Sequence, residues 1–132
     1  MQPDDPTCRS RDILASPWRA LVAFWIPAIA IIVAGNHAIS DNWRTAVWTI
    51  ALGTMGVACV ANALRCGRLH CYLTGPFFLV MAAITLLYGL GFLPQRRNGW
   101  GLIGITILAG GIAFCCVPEA LWGKYRKSRT QA

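Results

Sequence analysis

The side chains with the most chemistry to offer are six cysteines, four of which fall in two close pairs. The first pair lies in the stretch Asn62-Ala63-Leu64-Arg65-Cys66-Gly67-Arg68-Leu69-His70-Cys71-Tyr72-Leu73-Thr74-Gly75-Pro76. Here two thiols, one imidazole and two guanidiniums gather around a single flexible glycine. The cationic neighbours Arg65 and Arg68 offset the charge of a nearby thiolate. Thiolate is the form of cysteine that binds metals and attacks disulfides. The Cys66-x4-Cys71 spacing differs from the C-x2-C of a zinc knuckle, so a closed tetrahedral zinc site is not signalled.

The second pair is vicinal, in Phe114-Cys115-Cys116-Val117-Pro118-Glu119. Pro118 has no N–H to give the carbonyl of Phe114, which predicts a kinked helix at the pair. Adjacent helical side chains diverge by about 100°, and a kink eases their convergence. Two thiolates suit a thiophilic ion of low coordination number, such as Hg(II) or Cu(I). Glu119, an acid near a membrane edge, needs a partner or water and is a candidate helper that takes protons displaced from thiols. A packing role stands beside each of these readings. Gly111 and Cys115 form a small-xxx-small seam, and Cys59, alone in its helix, reads as a small apolar filler.

The elements that must position these residues follow from composition. The chain has 132 residues, 56% of them hydrophobic and 13% charged, with a mean hydropathy of +0.52. Soluble domains carry about 25% charged residues, and a chain this short cannot enclose so much apolar surface. A soluble enzyme, a disordered chain and a pair of sizeable domains are excluded. The fold class is therefore an all-α polytopic membrane bundle, a single domain over 1–132. A span needs about 20 apolar residues, and four stretches qualify, at about 20–38, 45–64, 75–93 and 100–122. The first has too long an apolar run for a cleaved signal peptide and is read as a retained helix. Ser40, Asp41 and Asn42 offer N-caps to the second span, and Thr74 one to the third, with Gly75-Pro76 following. Pro94 closes the third. Trp18, Trp43, Trp100 and Trp122 mark the span ends, where amphipathic rings prefer the interface.

Orientation follows from the lysines and arginines beside the spans. Arg9, Arg11, Arg19, Arg65, Arg68, Lys124, Arg126, Lys127 and Arg129 lie on one side, and Arg44, Arg96 and Arg97 on the other. Nine against three places both tails (1–17 and 124–132) and the middle loop in the cytoplasm, in what reads as a bacterial inner membrane. The formal charge of +7 then reflects topology and anionic lipid, not nucleic acid, for which no binding fold is present. All six cysteines fall on the cytoplasmic side or half, where thiols stay reduced. Cys66, Cys71, Cys115 and Cys116, with His70 nearby, thus form a candidate soft-ligand cluster. On the opposite side, His37 and Asp41 read as loop and cap chemistry.

Cys115-Cys116 followed by Pro118, together with Cys66 and Cys71, resemble the cysteine pairs of the mercuric-ion uptake proteins of bacterial mercury-resistance systems. That resemblance implies transport of Hg(II) as substrate, passed between thiol pairs toward a cytoplasmic acceptor. Those proteins also carry a cysteine pair in the first span, and this chain has none, so it implies cytoplasmic capture, release or sensing rather than a relay across the whole membrane. Two other classes compete. A quinone-linked membrane thiol oxidoreductase has a similar size and helix count, although its usual C-x-x-C is missing. A non-catalytic accessory subunit of a larger membrane complex needs no special residues. No catalytic residue and no bound cofactor is indicated by motif.

Overall fold

The computed structural model describes residues 16–35, 40–66 and 69–122, and those residues are helical apart from short connections. Four helices are present: α1 Pro17–Ala34, α2 Asp41–Cys66, α3 Leu69–Gly89 and α4 Gly99–Trp122. Each contains a segment long and apolar enough to cross a membrane, since 20 residues of helix rise about 30 Å. Short connections make successive helices antiparallel. One end of the bundle thus holds the last turn of α2 and the first of α3. The other holds the C-terminus of α1, the N-termini of α2 and α4, and the C-terminus of α3. The tails at 1–15 and 123–132 and the loop 36–39, which contains Asn36 and His37, lie outside the described residues, as do Gly67 and Arg68.

Local chemistry explains the boundaries. In α1 the backbone widens into a π-helical turn over Leu21–Trp25, with the amide of Ile26 reaching back to Leu21 O. Pro27 follows at once. A proline ring collides with the carbonyl four residues earlier, and one π turn shifts that carbonyl aside. Ser40 stands just before α2, as its sequence suggests, and its carbonyl takes the Arg44 amide at 3.0 Å. The end of α3 is a Schellman motif. Phe92 N–H donates to Leu87 O and Gly91 N–H to Tyr88 O, with Gly91 at φ 79°. Only glycine takes that backbone without strain, so Gly91 closes α3, and Pro94 merely follows.

The beginning of α3 departs most from expectation. Thr74 and Gly75-Pro76 read as a helix start, yet the helix begins at Leu69 and runs through Pro76. Thr74 is a buried residue of the helix interior and not its cap. Proline is tolerated inside membrane helices because neighbouring groups satisfy the freed carbonyl. Helix therefore takes up the expected middle loop as far as Cys66 and again from Leu69, and His70 and Cys71 are helical. Similarly, α4 continues through Pro118 to Trp122.

The core is the α2–α3 hairpin. In the spanning segments of α2 and α3, 39% and 44% of residues are buried, against 11% in α1 and 6% in α4. The outer helices thus offer most of their apolar surface to lipid. Glycines let the central pair close. A Cβ on Gly56 would meet Leu79 Cγ at 2.8 Å, and one on Gly75 would meet Val60 Cγ2 at 2.7 Å. Membrane helices rely on such small-residue contacts because lipid is as apolar as the side chains.

At the end away from Cys66, a polar clasp ties α1 and α4 to the hairpin. Buried Arg44 donates through Nε to Ala34 O at 3.1 Å and through Nη1 to Asp41 Oδ1 at 2.8 Å, and its guanidinium lies 5.3 Å from the centre of the Trp100 ring. Trp48 Nε1 donates to Ile31 O at 3.0 Å, and the Trp48 and Tyr88 rings each meet Trp100 edge-on. Trp18 and Trp43 are exposed at helix ends, as interface tryptophans should be. Trp100, expected in that role, is instead part of the clasp. The side chain of Trp122 lies outside the described residues.

Candidate thiol site

The glycine contacts also fix what faces what at the other end of the hairpin. A Cβ on Gly75 would lie 3.3 Å from Cys59 Cβ, so α3 runs close against the turn of α2 that carries Cys59. One turn back along α3 from Gly75 is Cys71. Its thiol lies against that of Cys59. Both are buried, Cys71 completely.

Two further groups converge on the Cys71 sulfur. Asn62 Nδ2 donates to it from α2 at 3.6 Å, and His70 Nε2 lies 3.2 Å away. Asn62 is itself fully buried, which in an apolar interior is tolerable only with partners. From α4, Cys115 Sγ lies 3.9 Å from Thr74 Oγ1, and Gly111, one turn earlier, packs against the Phe78 ring of α3. The Gly111–Cys115 seam therefore docks α4 on α3 and sets Cys115 one helical turn from Cys71. Cys115 is exposed, as is Cys116, about 100° further round the helix.

The arrangement regroups the residues expected from sequence. His70 and Cys71 from α3 and Cys115 from α4 come to one end of the bundle. Cys116 stands on an exposed face. The side chains of Cys66 and Glu119 lie outside the described residues. Cys59, read from sequence as filler, is the direct partner of Cys71. Its signal was present in the α2–α3 register, through Gly56 and Gly75, rather than in cysteine spacing. Among the described residues, no three His, Cys, Asp or Glu side chains form a group able to hold a metal ion. What the geometry offers is a two-sulfur pair with an amide donor and an imidazole at its flank.

The site depends on the glycine seam. Replacing Gly75 by leucine forces Val60 and its backbone amide away, and overpacking of this kind costs about 1–3 kcal/mol. We expect a lowered unfolding midpoint in detergent and loss of cross-linking between Cys59 and Cys71 by a short bifunctional thiol reagent. Gly53→Leu is the control, because a Cβ there meets nothing within 4 Å.

Fold and site together define a polytopic helical membrane protein with a buried interhelical thiol pair. No family model matches the chain, and neither the curated proteins nor the solved structures contain a match to it.

Proposed function

We propose that this protein binds a thiophilic heavy-metal ion as its substrate, with Hg(II) the best fit, between the thiols of Cys59 and Cys71. The observation that carries this reading is the close approach of two buried thiols from adjacent helices. A two-coordinate soft cation needs two sulfurs and no third ligand, which agrees with a pair and disfavours zinc, whose structural sites use four ligands. Each thiol loses a proton when it ligates. The neutral product Hg(S)2 then replaces two S–H groups and releases two protons. His70, at 3.2 Å from the Cys71 sulfur, is placed to accept one of them. Asn62 donates to the same sulfur and stabilises its ligating form. A neutral product suits an apolar interior, where an isolated ion is costly.

The resemblance to mercuric-ion uptake proteins supports the same substrate, and the excess of Lys and Arg supports cytoplasmic termini and a thiol end facing the cytoplasm. Cys115, beside Thr74, and Cys116, both exposed, lie toward that end as secondary thiols. A cytoplasmic thiol acceptor is the corresponding partner. A second reading, a dithiol that cycles to a disulfide against a quinone, rests on the same Cys59–Cys71 contact.

Hg(II) titration of the reduced, detergent-purified protein separates them. The metal reading expects one ion per chain bound more tightly than by an exposed thiol, and loss of that ion in Cys59→Ser/Cys71→Ser. If both proteins bind Hg(II) equally and weakly, and the wild type instead forms an intramolecular disulfide on adding a soluble quinone, the oxidoreductase reading replaces it.

A further inference from the structure

The face of the bundle between α1 and α4 carries a second site, which runs from the end remote from the thiols as far as Gly111. Two cavities of about 410 and 320 Å3 adjoin there and share Trp48, Gly104 and Leu108 in their walls. Small-molecule sites usually measure about 300–1,000 Å3. The larger cavity reaches mid-membrane over Met55 and Phe78, and its lining is apolar throughout. The smaller one ends at the Arg44 guanidinium beside Trp100. At the same end of the bundle, exposed Arg96 and Arg97 lie in the α3–α4 connection. With Asp41 as the acid, the charged residues described at this end of the bundle, Arg44, Arg96 and Arg97 among them, sum to a net positive charge.

We propose that this groove is a binding site for one molecule of an anionic phospholipid, its acyl chain lying between α1 and α4 and its phosphodiester at the arginine rim. The apolar lining suits a hydrocarbon chain, and the arginines at that end of the bundle suit an anionic headgroup. Arginine near a bilayer surface attracts such lipids, and guanidinium matches phosphate in geometry as well as charge. Glycines supply the room. Gly104 lets the Trp48 ring come close, a Cβ there lying 3.3 Å from it, and around Gly101 a Cβ meets nothing within 4 Å. A bulky side chain at 101 therefore fills the smaller cavity without disturbing the backbone.

The test is native mass spectrometry of the full chain in detergent with defined lipids. Phosphatidylglycerol is the probe, and phosphatidylcholine and a free fatty acid are the comparisons. We expect one phosphatidylglycerol per chain, retained about fivefold or more over phosphatidylcholine, as one to two arginines would give. The Gly101→Phe variant should lose that adduct, while Ile50→Phe, on an exposed face of α2, should keep it. Arg96→Gln/Arg97→Gln should bring the two phospholipids level without lowering the unfolding midpoint. Equal retention of both phospholipids by the wild type overturns the proposal, as does preference for the fatty acid. An undiminished adduct in Gly101→Phe, or a dimer mass without lipid, overturns it as well.

Discussion

Arg44→Met should lower the stability of the detergent-solubilised protein by about 2–3 kcal/mol, read as a fall in the unfolding midpoint. The argument is one of location. Arg44 is buried, with an 8% exposed side chain, while its acidic partner Asp41 is 68% exposed. Losing the ion pair itself therefore costs little, because the carboxylate left behind stays hydrated. The larger loss is at Ala34 O, the last carbonyl of α1, which accepts the Arg44 Nε–H. A buried acceptor left without its donor costs about 1–3 kcal/mol. The guanidinium over Trp100 adds about 0.5–2 kcal/mol where it is desolvated. Methionine keeps the apolar stem, so the loss is that of the polar head. Lysine should not restore it, since one ammonium cannot reproduce a fork that serves two acceptors and a ring face. Hydrogen exchange should show the amides of α1 opening first, because Arg44 and Trp48 are what hold its C-terminal turn. Hg(II) affinity should be unchanged. The clasp and the thiols are at opposite ends of the bundle, and effects at distant sites add independently.

How far such features were legible from sequence depends on whether they are local or need a register between helices. Span number and type were legible because hydrocarbon demands length and apolarity, which composition records directly. The N-terminus of α2 was legible from Ser40 and Asp41 for the same local reason. Gly75-Pro76 misled, because a proline in the first turn and a proline inside a buried membrane helix look alike until the neighbours are known. That one misreading turned the first turn of α3 into loop and placed His70 and Cys71 in it. Cys59 was passed over for a different reason. Its partner lies 12 residues away on another helix, and only the close approach at Gly56 and Gly75 sets the two opposite each other. The vicinal Cys115-Cys116 pair drew attention by adjacency, whereas helical geometry allows only one of two adjacent residues to face α3. Gly111, one turn before Cys115, pointed to which.

The same geometry makes the single-cysteine series decisive for the proposed substrate. Cys59→Ser and Cys71→Ser should each weaken Hg(II) binding more than 100-fold, because each removes one of only two sulfurs from a two-coordinate ion. That exceeds the roughly 10–100-fold typical of groups that hold a ligand rather than ligate. His70→Gln and Asn62→Leu belong in that smaller range, since both act on the Cys71 sulfur from its flank. Serine is nearly isosteric with cysteine, so Cys59→Ser should leave the unfolding midpoint close to that of the wild type and isolate the chemistry. Cys116→Ser should have no effect, because that side chain is exposed and stands apart from the pair. The comparison of Cys59 with Cys66 separates the two possible pairings of Cys71. If Cys66→Ser abolished binding while Cys59→Ser left it intact, the ion would sit between neighbours along the chain at the α2–α3 turn. The interhelical pair would then be packing after all. Loss with Cys59 and retention with Cys66 ties the ion to the contact that the glycine seam creates, and so makes helix packing itself the device that assembles the site.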